Sequence, residues 1–326
     1  MKKRISIFMV ALMVMGGLTA CGSGGKETGA GSDKIHIVAT IFPEYDWVMN
    51  ILGENPAEAE VTLLIDNGVD LHSYQPTAED ILKISTCDLF IYVGGESDEW
   101  VEDALAEAAN KDMVVVNLLE ILGASVKEEE VVEGMQGEEE EDEDEEAPEY
   151  DEHVWLSLQN AGTLVQSILT SVQSIDPANA KTYESNASAY MDKLNLLDEE
   201  YKTTVSNASL HTVLFGDRFP FRYLVDDYDL SYYAAFVGCS AETEASFETI
   251  TFLAKKVDEL GLPVVLTIEG TDHRIAETIV QNTTKKDMQI LTIDSMQATT
   301  AKDIQNGTTY LSVMESNLSV LKEALN

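Results

Sequence analysis

Basic residues are scarce in this chain. Twenty Lys and Arg stand against 59 Asp and Glu, which leaves a formal net charge of −39. So acidic a surface argues against nucleic acid and against electrostatic docking to anionic lipid, and is consistent with drawing in cations. Cysteine is nearly absent, with three residues in 326. Cys87 precedes one strand-like run and Cys239 follows another, far away in sequence. Both read as small, mostly buried residues rather than a disulfide framework. Beyond residue 20 no apolar run is long enough to span a bilayer. Histidine is limited to five residues.

The N-terminus holds what the rest lacks. Lys2, Lys3 and Arg4 form a basic head, and residues 5–20 follow without a charge. That run is short for a membrane span and reads as a signal-peptide core. It ends in Leu18-Thr19-Ala20-Cys21, the cleavage frame of bacterial lipoproteins. Cys21 is therefore expected to become the lipidated first residue, and residues 21–32 a flexible, Gly- and Ser-rich tether. A diacyl anchor would leash the mature body to the outer face of the cell membrane.

From residue 35 strands alternate with helices. Strands are predicted over 35–41, 61–65, 88–93 and 113–116, with helices over 45–52, 76–84 and 100–109 between them. Apolar strands separated by helices imply a parallel sheet covered on both faces. Residues 160–174 are amphipathic. Asp176-Pro177 then reads as a helix start. Tyr183, Ala187, Tyr190, Leu194, Leu197 and Tyr201 recur at steps of three and four, and no Gly or Pro interrupts residues 178–206. This predicts one helix of roughly 30 residues, about 45 Å long. Strands resume over 212–215, 232–237, 264–268 and 289–293. Helices are predicted over 219–228, 247–260, 275–282 and 309–325. The fold class is α/β, with two parallel-sheet lobes joined by a long backbone helix and a ligand cleft between them. Residues 33–174 form the first lobe, 175–206 the linking helix and 207–326 the second lobe.

Ligands in such sheets bind beyond the carboxyl ends of the strands. His72 follows the second strand of the first lobe. Gly216-Asp217-Arg218 and Glu269-Gly270-Thr271-Asp272-His273 follow the first and third strands of the second. His72 and His153 sit in loop-to-helix frames rich in acids, and neutral imidazole is the commonest protein metal ligand. The alternative is that each is an ordinary polar loop residue. Sixteen acids and no base fall within 128–152. This predicts a disordered acidic loop over 128–149, either solubilising or a weak cation collector beside His153.

The frame Asp70-Leu71-His72-Ser73-Tyr74-Gln75-Pro76-Thr77, with Asp88-Leu89 and His153-Val154-Trp155-Leu156-Ser157, resembles the zinc and manganese solute-binding lipoproteins of bacterial ABC transporters. Asp176-Pro177-Ala178-Asn179 with Tyr183, Asn186, Tyr190 and Leu194 resembles that family's backbone helix. Thr309-Tyr310-Leu311 through Asn317-Leu318 resembles its last helix. The likeness covers nearly all of the mature chain. It implies two lobes tied by a rigid helix, with little hinge closure and the metal held between them. It carries His72 and His153 over as ligands. The second lobe departs from the pattern, because Arg218 falls where the family has a His or Glu, and a cation cannot ligate a cation. Asp217 is the plausible donor there, its other role being to cap the following helix. Arg218 would then pair with a carboxylate. For the last ligand Glu269, Asp272 and His273 all fit, with Glu269 or His273 favoured. His36 and His211 read as structural.

The resemblance implies capture of Zn²⁺, with Mn²⁺ as the alternative cargo, and delivery to an ABC transporter permease by a monomeric protein. Capture by deprotonated ligands is expected to weaken as pH falls through the histidine range. A surface adhesin or metal sensor is a second reading. A zinc enzyme is a third, although the sequence contains no HExxH pair, GxSxG elbow or Ser-His-Asp arrangement.

Overall fold

Each lobe is built on a four-stranded parallel sheet, because each helical crossover returns the chain to the same end of the sheet before the next strand. The computed structural model describes residues 34–137, 149–240 and 244–326. In the first lobe β1 (His36–Ala39), α1 (Phe42–Leu52), β2 (Glu60–Leu63), α2 (Ala78–Thr86), β3 (Leu89–Tyr92), α3 (Trp100–Ala106), β4 (Val114–Asn117) and α4 (Leu118–Leu122) follow one another. The sheet order is β2-β1-β3-β4. The helices α5 (Leu158–Ile175) and α6 (Ala180–Ser206) come next. The second lobe contains β5 (Thr212–Phe219), α7 (Arg222–Asp227), β6 (Ser231–Val237), α8 (Phe247–Leu260), β7 (Val264–Ile268), α9 (Arg274–Asn282), β8 (Gln289–Ile293), α10 (Ala301–Gln305) and α11 (Tyr310–Ala324). Its sheet order, β6-β5-β7-β8, repeats the first. In both sheets the first strand is central and is followed by a crossover to an edge.

The backbone helix begins later than its sequence suggests. Asp176 does not open α6. It sits in the turn after α5, where its carboxylate accepts from the Asn179 side chain at 2.7 Å and from the Tyr183 hydroxyl at 2.6 Å. The short polar side chain thus holds a tight reversal, and α6 starts at Ala180 with 27 residues. The predicted stripe is its buried face: Tyr183, Ala187, Tyr190, Leu194, Leu197 and Tyr201 are all buried. Tyr190 donates to Asp46 of α1 and Tyr201 to the Met314 carbonyl of α11. One apolar cluster therefore runs from Ile37 and Phe90 through α5 and α6 to Phe215, Leu266 and Met314.

Two further expectations are corrected. The strand β5 does not stop at Phe215. After a register shift it continues through Arg218 and Phe219, which pair with Phe236 and Val237 of β6. Asp217 is therefore a strand residue and not the cap of α7, whose N-cap is Phe221. The acidic stretch over 128–149 is not wholly without structure either. Residues 128–137 form a strap on the second lobe. Gln136 pairs with Phe236 of edge strand β6, and Met135 is buried. Glu130 meets Arg222 at 3.0 Å and Glu133 meets Lys256 at 3.5 Å. The strap is held because Val132 and Met135 pack onto the core and its acids find basic partners. Residues 138–148, like the signal peptide, Cys21 and the tether, lie outside the described residues.

Candidate metal centre

His72 reaches the cleft from a single helical turn, Leu71–Ser73, that follows β2. Asp70 caps that turn by accepting from the His72 N–H at 3.0 Å. His153 precedes a second single turn, Val154–Leu156. The two histidines are 81 residues apart, yet their Nε2 atoms lie 3.1 Å from each other. Each ring is held by its other nitrogen. His72 Nδ1 meets Ser97 Oγ at 2.7 Å, and His153 Nδ1 meets Asp151 Oδ1 at 3.0 Å. Asp151 also accepts from the His153 backbone N–H at 2.9 Å, so one carboxylate fixes both the chain and the ring. Such outer partners orient a ligating imidazole and raise its basicity.

His153 is fully buried. His72 opens on a cleft of about 210 Å³ lined also by Ser97, Glu129, Glu152 and Cys239. Burial, then the neighbouring His153, hold the His72 pKa down to about 3. Burial also works against a charged His153, but the Asp151 carboxylate outweighs it and leaves that ring raised. Burial pushes the Glu152 and Glu129 carboxyls up. It pushes the Cys239 thiol well above its ordinary range, with Glu129 and Asp151 adding to the effect.

The structure does not bring the expected second-lobe donors to this pair. Among the described residues, the one group with donor atoms all within 4.8 Å of one another is His72, His153 and Cys239. Glu269 is occupied: its carboxylate accepts from the Ser295 N–H at 2.7 Å, the Ser295 hydroxyl at 2.6 Å and the Gln297 N–H at 3.1 Å. The Ser295 carbonyl in turn accepts from Trp155 Nε1, two residues beyond His153. Asp217 accepts from the Arg218 and Ile268 N–H groups and from the Thr271 hydroxyl, which ties β5 to β7. Arg218 pairs with Asp70 across the cleft. Asp272 pairs with Arg274. His273 takes a left-handed conformation at the start of α9 and lines a neighbouring cavity of about 450 Å³. His36 and His211 are exposed rather than built into the core.

Of the His72, His153 and Cys239 group, Cys239 is the member that the sequence did not single out as a donor. It follows β6 directly, so the carboxyl-end rule that singled out the loops after β2, β5 and β7 applied to it equally. Its hydrophobic reading hid it. Among the described residues the two cysteines are free thiols, Cys87 buried and Cys239 partly exposed to the cleft. Gly238 permits the approach. A Cβ there would lie 2.9 Å from the Phe219 carbonyl and 3.1 Å from His153 Cε1.

A family model for the periplasmic component A of zinc-uptake complexes matches residues 37–324. The chain is 30% identical over 329 residues to the high-affinity zinc uptake system protein ZnuA of Bacillus subtilis, covering 99% of this chain and 98% of that one. It is 30% identical over 326 residues to the zinc-binding lipoprotein AdcA of Streptococcus pneumoniae, covering 98% of this chain and 61% of that relative. The chain thus spans about three-fifths of the length of the AdcA relatives. The crystal structure of the Zn(II)-bound ZnuA-like domain of S. pneumoniae AdcA superposes with a TM-score of 0.70 at 27% identity, over 90% of this chain and 99% of that one. The metal-dependent lipoprotein YcdH of B. subtilis gives 0.72 at 26% identity, over the same shares.

Proposed function

The chain belongs to the zinc-uptake complex component A family, and on that premise we propose that it captures Zn²⁺ outside the cell membrane and hands it to an ABC transporter permease. The observation that carries this reading is the 3.1 Å approach of two imidazole nitrogens whose outer nitrogens are already engaged. A tetrahedral Zn²⁺ with Zn–N bonds of 2.0–2.1 Å needs its nitrogens about 3.3 Å apart. The pair is therefore preorganised to within a few tenths of an ångström for a metal ion held between the rings.

Glu96, Glu129, Glu149 and Glu152 line the same cleft and bias it toward cations. Capture is reversible coordination, so release to a permease requires no bond-making beyond the metal's own. Lipidation of Cys21 would keep the body at the membrane surface, with residues 21–32 as its leash. The first lobe would supply both histidines from 33–174, with 175–206 as the brace, and the protein would act as a monomer.

Competition titration of the metal-stripped chain with Zn²⁺ and Mn²⁺ tests this, beside His72→Ala and a deletion of residues 138–148. One tight zinc site that survives the deletion and is lost in His72→Ala is expected. Weak, multiple binding that disappears with residues 138–148 would refute capture in the cleft.

A further inference from the structure

We propose that Cys239 supplies the third metal ligand of the cleft, as a thiolate contributed by the second lobe in place of a donor after β5. The proposal rests on the capture reading and adds to it the donor that sets metal preference. Two imidazoles alone do not complete a zinc site, which takes four ligands, or three and an exchangeable one. The structure leaves few candidates. Arg218 is a cation paired with Asp70. Asp217 and Glu269 each accept three hydrogen bonds from their own lobe. Diverting either to a metal would strip partners from backbone N–H groups, which is costly in a buried setting.

The Cys239 thiol hydrogen-bonds to the Glu129 carboxylate of the strap, and it is already in place. Its Sγ lies within 4.8 Å of a ring nitrogen of each histidine. With Zn–S of 2.3 Å and Zn–N of 2.0–2.1 Å, a tetrahedral site needs N and S about 3.6 Å apart. Closing the difference takes about an ångström, within the reach of a side-chain rotation. The loop carrying the thiol is fixed on both sides. Glu129 of the strap accepts from the Cys239 N–H at 3.0 Å, and Gly238 lies against His153. The strap thus positions the second-lobe ligand. Coordination replaces the thiol S–H with a Zn–S bond and sends one proton to solvent. A sulfur donor suits zinc and disfavours manganese, which prefers oxygen.

The test uses the full chain loaded with Co²⁺ as a visible stand-in for zinc, and Zn²⁺ itself. Expected are a near-ultraviolet thiolate-to-cobalt charge-transfer band, absent in Cys239→Ser, and zinc shielding of the Cys239 peptide from iodoacetamide, mapped by mass. Cys239→Ser should lose zinc affinity by roughly 100-fold, the upper edge of what loss of a supporting group costs, with Mn²⁺ binding little changed. The wild-type band and shielding do not depend on the variant folding. Tight zinc binding with no band, no shielding and an unaltered Cys239→Ser titration would overturn the thiolate ligand while leaving capture intact. Absence of tight zinc binding in the wild type would overturn both.

Discussion

Replace Asp151 by asparagine. The side chain keeps its size and one acceptor oxygen, so the backbone contact to His153 can persist, and the loop is further held by Asp151 N–H to the Lys127 carbonyl and Tyr223 hydroxyl to the Asp151 carbonyl. What goes is the negative charge against His153 Nδ1. Loss of a carboxylate behind a ligating imidazole lowers metal affinity about 10- to 100-fold, or about 1.4–2.7 kcal/mol. Proton competition works the other way. Asp151 is what raises the His153 pKa against its burial, so the variant's ring gives up its proton more readily. At mildly acidic pH, where the wild-type ring holds its proton more firmly than the variant's, part of the loss is offset. The wild-type advantage should therefore widen from pH 6 to pH 8. Zinc competition titrations at both pH values read this, and thermal melts without metal check that folding is little altered. Equal zinc affinities at pH 8, or a deficit matched by metal-free destabilisation, would refute the assigned role.

Two other outcomes follow from named groups. Burial raises Glu44 to about 8 and Asp98 to about 7, and one oxygen of each has no partner. The folded state then holds protons that the unfolded state has released, so stability should fall as pH rises from about 5 to 8. Urea unfolding should show a loss on the order of 2 kcal/mol or more, and Glu44→Gln should flatten the slope; a stability that rises over that window would contradict it. Gly238→Ala places a methyl against the Phe219 carbonyl and His153, at a cost of about 1–3 kcal/mol. It should weaken zinc binding as well as folding, measured by titration and melting; unchanged zinc affinity would mean that the second lobe yields and not the histidine.

Much of the fold was legible because burial and periodicity agreed. Residues 264–268 and 289–293 are apolar runs bounded by turn residues, and they are strands to the residue. Residues 247–260 are helical between a Ser246 cap and a left-handed Gly261. Legibility failed where local chemistry and tertiary pairing disagreed. Gly216-Asp217 looks like a turn, but pairing with β6 draws it into β5. Glu128 to Glu130 look unstructured, but Glu128 pairs with Tyr150, Glu129 accepts from the Cys239 N–H and Glu130 meets Arg222. At the site the histidines stood out because imidazole is rare in this chain. The carboxylates did not sort, because sequence cannot tell an acid facing a cleft from one accepting backbone N–H groups, and Glu269 and Asp217 are of the second kind. Cys239 was hidden by a residue type that is more often buried than reactive.

The apolar cluster that passes through α6 from one sheet to the other is much larger than the one cluster confined to a single lobe, around Leu214, Phe236 and Leu253, so most of the interior is shared. Unfolding should then be a single cooperative event. Cargo that binds only the folded chain adds RT ln(1 + [L]/Kd) to its stability, about 2.7 kcal/mol at a hundredfold excess over Kd. Occupancy of a site a few ångströms across is thereby registered by the whole molecule, and the melting temperature becomes a gauge of how much zinc the protein carries.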